Sequence, residues 1–165
     1  MEWAWLIPVF NFAAAPLIVV FGRVLPGKGS VLAILAITAG FGLFWWVFAG
    51  FLGAGAGTEN CEISHYTETL TCHYEMAWFN AGLAGEASSV LLTWGFIVDP
   101  LTVAMLGLVT FVALMVQIYS LGYMKYDARF GWYYAVHAMF AAAMLTLVLA
   151  DNFLLLYVAW ELVGI

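Results

Sequence analysis

The stretch DPLTVAMLGLVTFVALMVQIYSLGY, Asp99–Tyr123, decides the class of this protein. It opens with Asp99, a residue type that commonly caps helices, and with Pro100, which suits the first helical position. The residues after Asp99 carry no charge, and the run exceeds the roughly 20 residues that a helix needs to cross a bilayer. The stretch therefore predicts a membrane-spanning helix that begins at Pro100 and ends at about Tyr123.

The composition of the whole chain agrees with a membrane environment. Of the 165 residues, 66% are hydrophobic and only 8% are charged, whereas about 25% of the residues of a soluble domain are charged. Lipid must therefore be the solvent for most of the chain, and the bilayer its first partner. No basic run indicates a nucleic-acid partner. No Walker motif, GxGxxG motif or cysteine cluster occurs, so no nucleotide, flavin or iron–sulfur centre is expected in this chain.

Three further apolar stretches are long enough to span, and they lie at about residues 3–22, 30–52 and 132–150. A fifth helix begins near Phe153. The sequence thus predicts an all-α polytopic membrane protein with four complete transmembrane helices and the start of a fifth. Its organisation is two helices in residues 1–53, a polar loop in residues 54–98, and helices three, four and the start of five in residues 99–165.

The fifth helix has only about 13 residues, or about 20 Å at 1.5 Å per residue. A crossing needs about 20 residues. We therefore expect the chain to be the N-terminal part of a longer protein. A short protein with a re-entrant last segment is the alternative.

The polar loop contains two stretches with strand character. CEISHYTETLTCHY, Cys61–Tyr74, alternates and is rich in Thr and Tyr, which predicts a short β-hairpin. SVLLTWGFIV, residues 89–98, is apolar but too short to span, so it is either a strand or an interfacial segment.

Two cysteines lie within the predicted hairpin. An even number of residues separates Cys61 from Cys72, so the two can face each other across two strands. A disulfide is favoured if this loop lies on the oxidising outer side. The alternatives are free thiols, or a zinc site formed by Cys61, His65, Cys72 and His73, whose side chains have suitable donor atoms but irregular spacing.

The four basic residues predict the orientation. Arg23 and Lys28 lie between the first two helices, and Lys125 and Arg129 lie between the third and fourth. The positive-inside rule places both loops on the cytoplasmic side or its equivalent. The N-terminus, the polar loop and the turn at Asp151 are then on the outer side.

One acid lies inside the fifth helix. Glu161 follows Asp151 by ten residues, or about 15 Å of helix, which places it near the middle of a hydrocarbon core about 30 Å thick. A charge at that depth costs about 2.5–3.5 kcal/mol on insertion scales. The functional interpretation is an ion or proton relay, and the alternative is a protonated side chain that packs helices. No base of this chain lies at the same depth.

Three other residues are weighed beside Glu161. His137 lies in the fourth helix at a similar depth, and it is either a second relay group or a histidine bonded to a backbone carbonyl. Asp99 and Asp151 are predicted to cap the third and fifth helices.

The motifs of the second half of the chain resemble a known family. DPLTVAMLGLVTFVALMVQIYSLGYMKYD, followed by AMLTLVLADNFLLLYVAWELVG, is similar to the antiporter-like subunits of respiratory complex I, and most similar to subunit L, or chain 5, of NADH:quinone oxidoreductase. The resemblance covers Phe96 to Gly164, and its pieces are Asp-Pro-Leu, Tyr-Ser-x-Gly-Tyr-Met, Ala-Asp-Asn and Trp-Glu in fixed order.

The resemblance implies proton translocation in which Glu161 couples to a lysine on a later helix. It also implies membrane and peripheral partner subunits, which would hold NADH, FMN, iron–sulfur clusters and quinone. The implied location is the bacterial inner membrane, or alternatively a thylakoid or mitochondrial inner membrane. Cation/proton antiporters, membrane-bound hydrogenases and inorganic carbon uptake complexes share the motifs, and a structural membrane anchor is a further alternative.

Overall fold

The computed structural model describes residues 2–22, 24–54, 60–63, 68–81 and 90–164. Five helices and three strands lie in these ranges. In chain order they are α1 (Leu6–Phe21), a 3₁₀ turn (Pro26–Gly29), α2 (Ser30–Gly53), β1 (Cys61–Ile63), β2 (Leu70–Ala81), β3 (Val90–Val98), α3 (Pro100–Tyr123), α4 (Phe130–Leu149) and α5 (Phe153–Gly164).

Three of the described helices are long and apolar enough to cross a membrane. They are Pro26–Gly53, which includes the 3₁₀ turn, and α3 and α4. The first helix falls short, because α1 has 16 residues, or about 24 Å, against a core of about 30 Å. The chain before Leu6 forms turns, with the Leu6 N–H donating to the Trp3 carbonyl at 3.0 Å. Three helices, and not the expected four, therefore meet the criterion for a complete crossing.

The polar loop forms more β-structure than the predicted short hairpin. An antiparallel sheet has the strand order β1-β2-β3, with Cys61 opposite Cys72 and Tyr74 opposite Phe96. The third strand, Val90–Val98, thus comes from the apolar stretch that is too short to span. At its end nearest α3 the Tyr74 and Phe96 rings stack with centroids 4.9 Å apart.

Helix α4 is the centre of the bundle, since it packs against α1, α2, α3 and α5. Its buried face is rich in small residues, which let neighbouring backbones approach closely. The buried alanines of α4 are Ala135, Ala138, Ala141, Ala142 and Ala143.

Contacts between loops define the two ends of the bundle. At one end the Lys28 carbonyl approaches Gly131 so closely that a Cβ there would lie 2.8 Å from it. At the other end the Asp151 N–H donates to the Gly95 carbonyl at 3.4 Å, which docks the sheet on the turn before α5. The described bases Lys28, Lys125 and Arg129 thus share one end, and the sheet lies at the other; Arg23 is outside the described residues.

Candidate functional site

Glu161 lies in the second half of α5, eight residues after its first residue. That distance corresponds to about 12 Å along the helix axis. Its side chain is exposed on the surface of the described bundle. Within the described ranges the carboxylate has neither a hydrogen bond nor a salt bridge, since the one described ion pair joins two other residues.

An apolar cavity lies beside Glu161. Its volume is about 790 Å³, and the next two residues of α5, Leu162 and Val163, line it. The other walls are apolar side chains of α1 and α4, among them Phe12, Pro16, Trp132, Met139 and Phe140. The side chains of α1 and α4 that line this cavity include no charged group, and the indole N–H of Trp132 is their one side-chain hydrogen-bond donor.

His137 is half-buried on α4 and faces α3. Its Nδ1 lies 3.2 Å from Nε2 of Gln117, which is fully buried on α3. The rings of Tyr133 and Phe140 flank the imidazole, with centroids 5.9 and 6.3 Å away. The partner is thus a side-chain amide and not the backbone carbonyl that the sequence offered as an alternative.

Gln117 and His137 belong to a polar seam between α3 and α4. Ser120 Oγ lies 2.8 Å from the Tyr133 hydroxyl and donates to the Val116 carbonyl at 2.7 Å. The Tyr134 hydroxyl donates to the Gln117 carbonyl at 2.9 Å. We call this group the α3–α4 seam; its members are Gln117, Ser120, Tyr133, Tyr134 and His137.

Sequence reasoning found His137 but missed the other members of the seam. A signal was present, because Gln117 and Ser120 lie three residues apart in an otherwise apolar helix and so share one face. Polar residues with that spacing in a membrane helix indicate a buried polar contact.

The structure brings Glu161 and His137 to neighbouring depths but not into contact. Helices α4 and α5 run antiparallel from the turn at residues 150–152. His137 lies about 18 Å from that turn and Glu161 about 12 Å from it, at 1.5 Å per residue. His137 faces α3, whereas Glu161 is exposed, so the two groups are on different surfaces.

The two cysteines are joined in the structure. A disulfide links Cys61 of β1 to Cys72 of β2, and both residues are buried. Bonded sulfurs offer no thiolate to a metal, so the alternative zinc site is not formed in this state. The described residues contain no group of three possible metal ligands; His65 lies outside them.

Asp99 and Asp151 differ in what they bind. Asp99 Oδ1 accepts from the Thr102 N–H at 2.6 Å at the start of α3. Before α5 the cap is Asn152, whose Oδ1 accepts from the Leu155 N–H at 2.8 Å. The predicted cap at Asp151 is therefore wrong by one residue, because the adjoining sheet holds Asp151.

Two contacts with the sheet fix Asp151. Its Oδ1 lies 3.2 Å from Nδ1 of His73 on β2. A Cβ added to Gly95 of β3 would lie 2.7 Å from its Oδ2, so glycine permits this close approach. Burial, and then the charge of Glu2, raises the pKa of Tyr74 on β2 of the same sheet.

Comparison with known proteins agrees with the resemblance seen in the motifs. A family model described as NADH-Ubiquinone oxidoreductase (complex I), chain 5 N-terminus, matches residues 86–134. F(420)H(2) dehydrogenase subunit L of Methanosarcina mazei is 39% identical over 164 residues, which are 99% of this chain and 21% of that protein. The chloroplastic NAD(P)H-quinone oxidoreductase subunit 5 of Mesostigma viride is 34% identical over 99% of this chain and 23% of its own length.

A third relative is NADH-quinone oxidoreductase subunit L of Mycobacterium tuberculosis, which is 30% identical over 164 residues, or 99% of this chain and 23% of that protein. This chain thus spans about a fifth of the length of these curated relatives. The likeness extends over the helices and the sheet alike. The chain belongs to the chain 5, or subunit L, family of complex I membrane subunits.

Proposed function

We propose that this chain is part of a membrane subunit that moves protons across a bilayer while partner subunits transfer electrons to quinone. The observation that carries the proposal is the likeness over 99% of the chain to subunits L and 5 of dehydrogenase complexes. The chain itself supplies intramembrane polar groups and no redox centre in this proposal. NADH, FMN, iron–sulfur clusters and quinone are assigned to partner subunits.

Glu161 is the proposed relay group of the chain. Apolar surroundings generally favour the neutral form of a carboxyl group, and a neighbouring ammonium favours its charged form. A lysine that approaches and withdraws therefore makes Glu161 release and take up a proton. Lys28, Lys125 and Arg129 lie at one end of the bundle, so none of these described bases is placed for the task.

The electron donor is a separate question, because the names of the relatives differ. They specify NADH, NAD(P)H and F(420)H(2) as donors. We propose NADH as the donor, and the identity of 39% to the F(420)H(2) dehydrogenase subunit favours F420H2 as the second candidate. Purification of the native complex followed by a quinone-reduction assay with each donor decides between them; activity with F420H2 alone rejects the NADH proposal.

The proposed orientation follows from the positive-inside rule. The end that contains Lys28, Lys125 and Arg129 faces the cytoplasm or its equivalent, and the sheet faces the outer side of a bacterial inner membrane or the equivalent side of an organelle membrane. Single cysteines introduced near Lys125 and at Glu68 should react with an impermeant maleimide from opposite sides. Reaction of both from one side would contradict this orientation.

Glu161→Gln tests the relay in the full-length protein within its complex. The substitution keeps the size and hydrogen bonding of the side chain but removes its titration. We expect proton translocation per electron to fall at least about tenfold, as for removal of a proton-transfer group, while assembly stays normal. Glu62→Gln is the matched control, since Glu62 is exposed on β1 at the outer sheet.

Two results decide against parts of this proposal. Translocation at the wild-type level in Glu161→Gln rejects the relay and favours a helix-packing role for the neutral carboxyl. Loss of the assembled complex, with Glu62→Gln intact, favours the structural-anchor alternative.

A further inference from the structure

Gln117 stands out among the buried residues of the bundle. Its side chain is fully buried, and its Nε2 faces Nδ1 of His137 at 3.2 Å. Its Oε1 has no hydrogen-bond partner among the described residues. The Tyr134 hydroxyl binds its backbone carbonyl and so holds this part of α3 against α4. The backbone is fixed, but the amide is satisfied at one end only.

The amide of Gln117 can bind His137 in two orientations, because a half-turn exchanges its oxygen and its NH₂ group. When Nε2 faces the ring, the amide donates to a bare Nδ1, and the neutral ring carries its proton on Nε2. When Oε1 faces the ring, it accepts from Nδ1–H, and Nε2 of the ring is bare. Each orientation leaves either Oε1 or the NH₂ group of Gln117 buried without a described partner. The cost of that unpaired group is therefore similar in the two orientations and favours neither.

We propose that Gln117 is a positioning residue that selects the tautomer of His137, and that proton transfer uses the orientation in which Oε1 accepts from Nδ1–H. This inference rests on the proposed function. In that orientation the bare ring Nε2 takes a proton from a hydronium ion, which leaves as water. The same Nε2–H bond then breaks, and the proton passes to a second water molecule. Nδ1–H stays bonded to Oε1 throughout both steps.

The opposite orientation of the Gln117 amide prevents proton transfer at His137. The ring then holds its proton on Nε2 and presents only a donor there, while the Gln117 NH₂ group occupies Nδ1. Uptake of a proton at Nε2 is impossible until the amide turns. The orientation of the Gln117 amide thus decides whether Nε2 of His137 can take up a proton. In histidines generally, the group bonded to one ring nitrogen decides which form the other nitrogen has.

Few other titratable groups belong to the elements packed against His137. Helices α1 and α2 contain none. The α3–α4 seam adds only the hydroxyls of Tyr133 and Tyr134. The remaining titratable side chains on α3, α5 and the 3₁₀ turn are all exposed; they are Tyr119, Tyr123, Tyr157, Glu161 and Lys28. A change at Gln117 is therefore expected to act on His137 before any other group.

The test is the pH profile of proton translocation by the full-length protein in its complex. Gln117→Glu keeps the size of the side chain and offers only an acceptor to Nδ1–H. We expect the profile to move to higher pH by about one unit, because an adjacent carboxylate favours the charged imidazole. Gln117→Leu should lower the rate about tenfold, as loss of a histidine-orienting partner does elsewhere.

Two controls separate positioning from packing. Thr110→Val removes another buried side-chain hydrogen bond of α3, from Thr110 to the Leu106 carbonyl, and should leave the profile unchanged. In a His137→Gln background, Gln117→Glu should no longer move the profile. A shift that persists without His137, or no shift in a folded Gln117→Glu protein, overturns the proposal.

The ring nitrogens of His137 give a second measurement that needs no variant at Gln117. We expect ¹⁵N spectra of the complex, assigned by the peaks lost in His137→Gln, to contain the Nδ1–H tautomer. Detection of the Nε2–H tautomer alone overturns the proposal. The two proposals can fail separately. If Glu161→Gln loses proton translocation while the Gln117 variants keep the wild-type rate and pH profile, only the role of Gln117 is rejected.

Discussion

Replacing Gly107 with alanine should weaken the contact between α2 and α3. A Cβ at Gly107 would lie 2.6, 3.0 and 3.2 Å from three atoms of the Phe44 ring, closer than side chains normally approach. Phe44 cannot move away easily, because the rings of Phe41, Trp45 and Phe48 surround it with centroids 6.0, 5.5 and 5.9 Å away. Overpacking of this kind costs about 1–3 kcal/mol, so we expect the folded-to-unfolded ratio to fall about 5- to 150-fold.

Gly122→Ala is the matched control on the same helix. A Cβ at Gly122 would meet nothing within 4 Å among the described residues, and alanine favours helix by up to about 1 kcal/mol. We therefore expect the control to be neutral or stabilising. The assay is reversible SDS-induced unfolding of the full-length protein in mixed micelles. Equal loss of stability in the two variants, or a neutral Gly107→Ala, would refute the packing described for Phe44.

Two predictions concern the β-sheet. Cys61 and Cys72 should resist alkylation until a reductant is added, and alkylation of both thiols without reductant contradicts the bridge. The double variant Cys61→Ser, Cys72→Ser should destabilise the local fold by about 3 kcal/mol, and faster hydrogen exchange in β2 would show this loss. Burial, and then the charge of Glu2, raises the pKa of Tyr74 above its ordinary value of 10.0. The neutral phenol therefore contributes its whole share to the free energy of unfolding below about pH 10, and this share is lost as the pH rises further. Tyr74→Phe should therefore reduce the alkaline rise in proteolysis of the sheet, and an unchanged pH profile would argue against this origin.

The sequence was sufficient to place α3 and α5, because their start signals are local. Asp99 and Pro100 mark the start of α3, which begins at Pro100. The turn before Phe153 is equally compact, and only the capping residue differed. Asp151 and Asn152 are both good caps in isolation, and the choice between them depends on His73, which is 78 residues away in the chain from Asp151.

Features that depend on distant pairing could not be predicted in the same way. The third strand pairs with β2 along residues 90–98, and a short apolar run shows no sign of whether a sheet or a membrane surface will receive it. Gln117 is similar, since its amide matters only because α4 places His137 against it. For α1 the apolar run indicated a complete crossing, but backbone turns before Leu6 shorten the helix.

The sheet and the relay candidate are connected through the start of α5. Phe96 of β3 bridges to Ala150, and the Asp151 N–H donates to the Gly95 carbonyl. The disulfide between Cys61 and Cys72 ties β1 to β2 within the same sheet. Because a helix rises by a fixed 1.5 Å per residue, an anchored first turn also fixes the depth of Glu161, about 12 Å along the axis from Phe153. The sheet therefore determines how deep in the bundle this carboxylate lies, although β1 and β2 are far from Glu161 in the chain.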